Sequence, residues 1–453
     1  MNHNEQRMKA GSRIKEPWSK RRFSRLLENI SLGNVTIDDS KGRCEFGTDD
    51  GMSASVTVTN NRFYRKGLLG PLAIAESYIE GDWTCDDLTS LIRIFIKNRQ
   101  SIDRSNSWKV KLSSFGHRLF HWFHANTRRG SLKNIAAHYD LGNEFYSLWL
   151  DETMAYSSGI FRKHSESLQT ASLEKFDRIC RKLDVQADDH VLEIGTGFGG
   201  FALHAVENYG CDVTTTTISQ QQFEMAESRF KNSSAGSQVS LLNTDYRDLT
   251  GQFDKLVSIE MIEAVGHRFL DQYFQKCSSL LGDDGSMLLQ AIVMPERNYQ
   301  RYLNSVDFIR RYVFPGGNLP SIASMLDSAG RSSDLRMVHA EDFAPHYAET
   351  LKRWRLAFQS RSQDILDQGY PQRFVRLWTF YLCYCEAAFA ERQIGVVQLQ
   401  FDKPGCLRDP VQVTDRAATN LRTPSEMTAQ SAAGSSCSQN NLSRSKEYSN
   451  ESC

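Results

Sequence analysis

Four glycines lie close together and offer a place where a ligand could approach the main chain. They are Gly195, Gly197, Gly199 and Gly200. An apolar run at 191–194 precedes them and is typical of a buried parallel strand. A helical pattern follows and ends at Gly210, so its first free N–H groups would face the same ligand. The stretch therefore predicts a strand, a binding turn and a helix. A glycine-rich turn that holds no ligand is the alternative.

The next predicted strand, at 211–218, distinguishes between two ligand classes. A dinucleotide site of the GxGxxG type needs an acidic residue about 20 positions on, which holds a ribose hydroxyl. Here the strand ends in three threonines at 215–217, with no acid and no arginine. The tight glycine spacing after the tripeptide 192–194 resembles instead the first motif of class I S-adenosylmethionine (SAM) methyltransferases. The sequence therefore favours SAM over a nicotinamide cofactor.

Three further predicted strands continue an alternation of strands and helices. They cover residues 238–243, 255–259 and 286–292. The alternation predicts an α/β fold with a doubly wound, Rossmann-like sheet, whose ligand site lies outside the carboxyl ends of the strands. Because Glu263 follows one of these strands and Gln290 lies near the end of another, both are expected close to the glycine turn. The alternative for Glu263 is a carboxylate that only stabilises the start of a helix.

The length of 453 residues favours two domains with polar tails. Residues 1–22 are polar and predicted to be disordered, and 23–103 combine short strands with amphipathic helices, which predicts a small α+β domain. The methyltransferase domain is expected at 134–405. The remainder, 406–453, is rich in Ser, Asn and Thr and is predicted to be a disordered tail.

The segment 104–133 has an unusual composition. It contains no Asp or Glu, and basic residues such as Arg118, Arg128 and Arg129 alternate with Trp and Phe. This composition suits an amphipathic helix lying on an anionic membrane. A linker helix whose rings pack against the second domain is the alternative.

Charge and cysteine content limit the classes of partner that the sequence predicts. The net charge of zero gives no reason to expect nucleic acid, and the ten cysteines have no metal-binding spacing. They are expected to be reduced thiols of a cytoplasmic protein. The N-terminus lacks the apolar core of a signal peptide, and no apolar run is long enough to span a membrane.

Several separated motifs occur in a fixed order. They are HYDLGNEFYSLWLDETMAYSSGIF, VLEIGTGFGG, TTTISQQQ, SIEMIEAVGH, VDFIRRYVFPGGNLP and FVRLWTFYLCYCEAAF. In these motifs the chain resembles the cyclopropane-fatty-acyl-phospholipid synthase (mycolic acid cyclopropane synthase) family of SAM-dependent methyltransferases, over about residues 23–405. The resemblance implies a class I methyltransferase domain behind a smaller N-terminal domain.

The resemblance also implies which residues bind SAM, with Gln222 standing in for the missing acid. The implied set is Tyr156, Ser157, Glu193, Gly195, Gly197, Gly199, Thr217, Ile218, Gln222 and Tyr246. A packed aromatic ring with no ligand contact is the alternative for Tyr246.

The implied reaction is transfer of a methylene or methyl group to the double bond of an unsaturated acyl chain in a membrane phospholipid, which forms a cyclopropane. A bicarbonate ion would take the proton. Its implied catalytic ligands are Ser158, Glu263, Gln290, Tyr381 and the backbone of Ile292.

Many relatives have Cys at the position of Ser158, and many have His at that of Gln290. A methyl-branched or methylene product therefore stays open, as do a non-catalytic lipid-binding relative and a homodimer. The expected partners are acyl chains and the membrane surface.

Overall fold

The computed structural model describes residues 18–49, 51–105 and 142–407. The predicted membrane helix at 104–133 lies outside the described residues apart from its first two positions. Most of the predicted tails also lie outside them. No helix within the described ranges is both long and apolar enough to cross a bilayer.

The first part of the described chain is a small four-stranded sheet with five helices. The strands are β1 (Asn34–Asp39), β2 (Gly42–Gly47), β3 (Ser53–Val58) and β4 (Trp83–Cys85), in the order β2-β1-β3-β4. The helices are α1 (Trp18–Leu27), α2 (Arg62–Gly67), α3 (Pro71–Ile79), α4 (Leu88–Lys97) and α5 (Arg99–Ser105). Helix α1 begins inside the stretch 1–22 that was predicted to be disordered, because Phe23 and Leu27 bury its apolar face.

The second part is built on a seven-stranded sheet. Its strands are β5 (His190–Ile194), β6 (Asp212–Thr216), β7 (Val239–Leu242), β8 (Phe253–Ile259), β9 (Leu281–Val293), β10 (Arg336–Asp342) and β11 (Gly395–Asp402). The order is β7-β6-β5-β8-β9-β11-β10. Strands β5 to β9 pair in parallel, and β11 runs antiparallel between β9 and β10. The prediction of a doubly wound α/β sheet is confirmed.

Helices connect and cover these strands. They are α6 (Asn143–Ser147), α7 (Leu168–Leu183), α8 (Gly200–Tyr209), α9 (Gln220–Asn232), α10 (Leu270–Leu280), α11 (Glu296–Leu303), α12 (Phe308–Tyr312), α13 (Ile322–Ser332), α14 (Ala344–Ser360), α15 (Ser362–Asp367) and α16 (Gln372–Ala390). Strand order reverses at β5, whose neighbours are β6 and β8, and the glycine turn follows β5 at this point. In an open α/β sheet, such a reversal leaves a crevice in which a ligand can bind.

One glycine of the turn serves packing. A Cβ atom on Gly199 would lie 2.7 Å from the ring of Phe230, and the residue has φ of +84°. Gly199 therefore lets α8 start close against α9, because any larger residue would separate the two helices.

Helix α16 holds the small sheet against the large one. Arg376 donates hydrogen bonds to the carbonyls of Tyr78 (2.5 Å) and Trp83 (2.6 Å), and its guanidinium lies 4.1 Å from the centre of the Tyr78 ring. Arg93 of α4 pairs with Glu391 at 2.8 Å, just beyond the end of α16. Apolar side chains from both parts form one continuous core around these polar contacts.

We expect Arg376→Met to lower the free energy of unfolding by about 2 kcal/mol, because it removes two charge-assisted hydrogen bonds and leaves two carbonyls with fewer donors. Urea unfolding followed by tryptophan fluorescence measures the change. Arg373→Met, at an exposed position on the same helix, is the matched control. Equal effects of the two substitutions would show that the contacts of Arg376 do not hold the parts together.

Candidate active site

A cavity of about 550 Å³ lies at the carboxyl ends of the central parallel strands. The glycine turn lines it through Gly195 and Gly197, and the end of β6 contributes residues 216–218. The loop at 154–157 and the turn that follows β8 close further sides. The cavity is therefore where sheet topology places a ligand site.

Nine of the ten residues predicted to bind the cofactor line this cavity, and Gly199 does not. The hydroxyl of Thr217 donates to the side-chain oxygen of Gln222 at 2.9 Å, so the residue standing in for the missing acid is oriented from the strand end. Tyr246 packs edge to face against Tyr273, with ring centres 5.6 Å apart, while it also borders the cavity. Their binding roles stay predictions.

The loop at 154–157 is fixed on both sides. The hydroxyls of Tyr156 and Tyr381 are 2.9 Å apart, which joins the loop to α16. Lys175 is completely buried in α7 and donates to the hydroxyl of Ser157 at 2.7 Å. Burial lowers the pKa of Lys175 to about 8, although the negative charge of Glu260 opposes this. Nothing in the sequence distinguishes Lys175 from the other lysines of an amphipathic helix.

Glu193 brings a buried carboxyl group to the part of the cavity that the glycine turn lines. It accepts a hydrogen bond of 2.6 Å from the hydroxyl of Thr215 on the neighbouring strand. Burial raises the pKa of Glu193 to about 8, against the opposing effects of Thr215 and Lys175. Burial therefore favours the neutral form of this carboxyl group.

Glu263 lies in a short 3₁₀ turn, Ile262–Ala264, directly after β8. One carboxyl oxygen accepts a hydrogen bond of 2.5 Å from the backbone N–H of Ile292. The other, Oε2, is buried beside the cavity and has no hydrogen-bond partner within the described part of the chain. Burial raises the pKa of Glu263 to about 8, and the charge of Glu260 adds to that increase.

Glu260 is the residue that the sequence analysis missed. Its Oε1 accepts from the backbone N–H of Ser158 (3.0 Å) and from the side-chain amide of Gln290 (2.8 Å). Its Oε2 accepts from the hydroxyl of Tyr347 at 2.6 Å, and the residue lines the cavity. The available signal was a second acid in the motif SIEMIEAVGH, three positions before Glu263.

Ser158 and Gln290 do not line the cavity, although they were predicted to face an anion in it. The hydroxyl of Ser158 donates to the carbonyl of Gly159 at 3.0 Å, and the amide of Gln290 is turned toward Glu260. Both side chains are completely buried behind the Glu260 carboxylate. Their expected direct contact with an anion is therefore replaced by contact with the chain itself.

A bicarbonate ion does not fit the set of donors that the resemblance implies. The N–H of Ile292 is already bonded to Glu263, and the hydroxyl of Tyr381 pairs with that of Tyr156. The nearby Glu260 carboxylate would also repel an added anion. As for metals, no group of three or more His, Cys, Asp or Glu side chains in the described ranges is arranged to hold one.

We expect Glu263→Gln to flatten the pH dependence of stability. A carboxyl whose pKa rises on folding from 4.5 to about 8 holds its proton more tightly in the folded chain. The free energy of unfolding of the parent should therefore fall as pH rises from 4.5 to about 8. The fall should be smaller in the variant, by on the order of 1–3 kcal/mol.

Urea unfolding at a series of pH values between these limits measures the difference. Glu227→Gln, which removes a carboxylate that is half exposed, should keep the slope of the parent protein. Identical slopes for the parent and Glu263→Gln would contradict the burial argument.

Comparison with known proteins identifies the family of this chain. The family model described as mycolic acid cyclopropane synthetase matches residues 126–399. The tuberculostearic acid methyltransferase UfaA1 of Mycobacterium tuberculosis is 35% identical over 352 residues, which covers 76% of this chain and 81% of that protein. The cyclopropane-fatty-acyl-phospholipid synthase of Escherichia coli K12 is 34% identical over 351 residues, which covers 77% of this chain and 88% of that protein.

A solved structure agrees with these relatives. The crystal structure of the mycolic acid cyclopropane synthase CmaA1 complexed with SAH and CTAB matches at 30% identity with a TM-score of 0.57. It covers 60% of this chain and 98% of CmaA1. Because the family model spans more than half of the sequence and the relatives match most of it, the chain belongs to the mycolic acid cyclopropane synthetase family and is a SAM-dependent methyltransferase of the cyclopropane synthase type.

Proposed function

We propose that this enzyme transfers a methylene group from SAM to the double bond of an unsaturated phospholipid acyl chain and so forms a cyclopropane. The observation that carries the proposal is one continuous cavity. The glycine turn lines one part of it, and apolar side chains of the helices line another. A polar cofactor and a hydrocarbon chain could therefore meet in the same cavity.

The cofactor part of the cavity suits SAM. Gly197 leaves open space beside the main chain, because a Cβ atom added at this position would have no atom within 4 Å. Thr217 and Gln222 offer polar groups in place of the carboxylate that a nicotinamide cofactor would use. SAM supplies an electrophilic methyl group, and the chain's contribution is to orient it and to exclude water.

The other part of the cavity suits a hydrocarbon chain. Its lining includes Ile309, Phe314, Leu351, Phe389 and Ile394. The exposed residues Arg99 and Arg301 also belong to this lining. Guanidinium groups are good partners for phosphate oxygens, so their position supports a phospholipid as the substrate.

Attack by an alkene leaves a positive charge on the acyl chain, and the cavity contains groups that stabilise it. The rings of Tyr156 and Tyr381 and the carboxyl groups of Glu260 and Glu263 all line it. Aromatic faces and carboxylates in an enclosed site attract a cation more strongly than water does. A base must then accept a proton. Bicarbonate is not assigned that role, because its expected ligands contact other groups of the chain.

A methyl-branched product is the second proposal. The tuberculostearic acid methyltransferase UfaA1, at 35% identity, favours it. The two outcomes share the attack on the SAM methyl group and differ in how the resulting positive charge is removed. The cavity lining described above serves both.

The test is mass spectrometry of total lipids from cells that express the protein. Unsaturated phospholipids should gain the mass of one methylene group, and NMR of the isolated fatty acids should then show either ring or branch protons. Absence of any mass gain in the presence of SAM, with a folded protein, would contradict the proposal.

Gly197→Val should abolish this product, because the valine side chain would occupy the space that glycine leaves for SAM. We expect SAM affinity, measured by calorimetry, to fall at least ~10-fold, which corresponds to about 1.4 kcal/mol. Gly369→Val is the matched control, since Gly369 also has a positive φ (+92°) and open space but lies outside the cavity lining. Tight binding of NADH in place of SAM would refute the cofactor assignment.

We also propose that the segment 104–133 binds the membrane surface, on its acid-free basic and aromatic composition. Replacing Arg118, Arg128 and Arg129 by Glu should weaken binding to anionic vesicles, and added salt should weaken binding of the parent protein. Vesicle sedimentation measures both. SAM affinity serves as the control. If it falls as much as vesicle binding does, the segment packs on the protein instead.

A further inference from the structure

We propose that the Glu260 carboxylate is the proton acceptor of this enzyme and takes the place of a free anion. This inference rests on the proposed alkene-methylation function. The side-chain amide of Gln290, which was expected to donate to an added anion, donates to Glu260 instead. The hydroxyl of Ser158 is bonded to the carbonyl of Gly159, and the backbone N–H of Ser158 also donates to Glu260. The chain thus carries a carboxylate of its own at the point where its relatives' pattern implies a separate ion.

The donors come from three separate parts of the fold. The backbone N–H of Ser158 belongs to the loop beside the cofactor, Gln290 to the central strand β9 and Tyr347 to helix α14. A carboxylate is the one side chain that can accept all three hydrogen bonds at once. Glu260 still lines the cavity, so the group is held firmly and remains accessible to a substrate.

The direction of a buried hydrogen-bond chain shows that its last member must be an acceptor. Lys182 can only donate, and its ammonium group gives a hydrogen bond of 2.7 Å to the side-chain oxygen of Gln398. The amide of Gln398 therefore donates to the oxygen of Gln290, at 3.0 Å. This leaves the amide nitrogen of Gln290 pointing at Glu260, at 2.8 Å. The network is satisfied when Glu260 is an ionised carboxylate.

The backbone supports a role for this side chain. Glu260 has φ of +50°, in the left-handed region that favours glycine, while its N–H is bonded to the carbonyl of Gln290 at 2.8 Å. Non-glycine residues in this conformation cost on the order of 1 kcal/mol and occur preferentially at functional sites. Glycine would adopt this backbone conformation at a lower cost, so the glutamate is present in spite of its conformational cost.

The environment of the neighbouring acid, Glu263, has fewer hydrogen-bond donors than that of Glu260. Glu263 has one buried carboxyl oxygen with no hydrogen-bond partner within the described ranges, whereas Glu260 accepts three hydrogen bonds. Lys175, whose ammonium group is bonded to Ser157, adds positive charge on the side of Glu260. Two adjacent carboxyls in one cavity do not both ionise easily. Burial raises the pKa of Glu260 too, but its three hydrogen bonds and the charge of Lys175 oppose that rise, whereas the charge of Glu260 adds to the rise at Glu263. We therefore assign the negative charge to Glu260 and the proton to Glu263.

The step balances without an added reagent. The alkene electron pair forms a bond to the SAM methyl carbon, the sulfur–carbon bond breaks, and the sulfur keeps that electron pair. Positive charge is left on the second alkene carbon. Glu260 takes one proton from the added methyl group, and the electron pair of that C–H bond closes the three-membered ring. The proton then leaves Glu260 for water after product release.

The experiment compares Glu260→Gln and Glu260→Gly with the full-length parent in buffer depleted of carbon dioxide. The parent should keep its full turnover, and both variants should lose on the order of 10²–10⁴-fold. Bicarbonate or formate should partly restore Glu260→Gly, because glycine leaves room for an anion among the same donors. The same salts should leave Glu260→Gln inactive, because its amide fills that space.

Two measurements show that the loss is chemical. Circular dichroism at the assay temperature should show a folded chain and SAM affinity should stay close to that of the parent in both variants, although the melting temperature falls because buried donors lose their acceptor. Glu227→Gln, a half-exposed carboxylate on α9, should keep full turnover. A parent enzyme that loses activity on bicarbonate depletion would overturn the proposal. So would full activity of Glu260→Gln, or a Glu260→Gly variant that binds SAM but is not restored by either anion.

Product formation by the parent enzyme distinguishes the proposed function from the role of Glu260. If the parent gives no methylated lipid under any condition, the proposed function is wrong. If it gives product only when bicarbonate is present, the function stands and the assignment of Glu260 as the base is wrong.

Discussion

The site depends on one constraint: the carboxyl groups of Glu260 and Glu263 line the same cavity, and the charge of Glu260 opposes the ionisation of Glu263. A buried carboxylate is stable only when donors surround it, and Glu260 collects these from a loop, a central strand and a helix. The same three hydrogen bonds join the segment at Ser158, strand β9 and helix α14 around the cavity. Loss of the negative charge would therefore remove the proposed base and weaken the contacts that join these elements.

The other buried charges follow from that constraint. Lys175 and Lys182 are both almost completely buried, an unusual place for lysine unless it is paired. Lys182 pairs with Glu341 and with Gln398, and through the two glutamines it sets the direction of the hydrogen bonds that reach Glu260. Lys175 donates a hydrogen bond to Ser157 and so fixes the loop at 154–157. The polar network is thus continuous from the outer side of the sheet to the cavity.

Local pattern predicted the fold well, because parallel strands and their connecting helices leave a strong periodic signal. All five predicted strands, from the one before Gly195 to the one containing Gln290, occur within a few residues of their expected bounds. The start of α1 was missed because its polar face dominates the composition around Trp18. The cavity position also followed from sequence, since the carboxyl ends of parallel strands must meet at one edge.

The sequence alone determined the fold class, the family and most of the residues around the glycine turn, because these depend on short motifs and on strand order. It could not decide where the side chains of Ser158 and Gln290 point. Each sits in a motif that permits contact with a free anion or with a neighbouring acid. Only the tertiary structure brings Glu260 between them, through a positive φ and a hydrogen-bond chain that begins at Lys182. Those contacts join residues far apart in the chain, so no local pattern contains them.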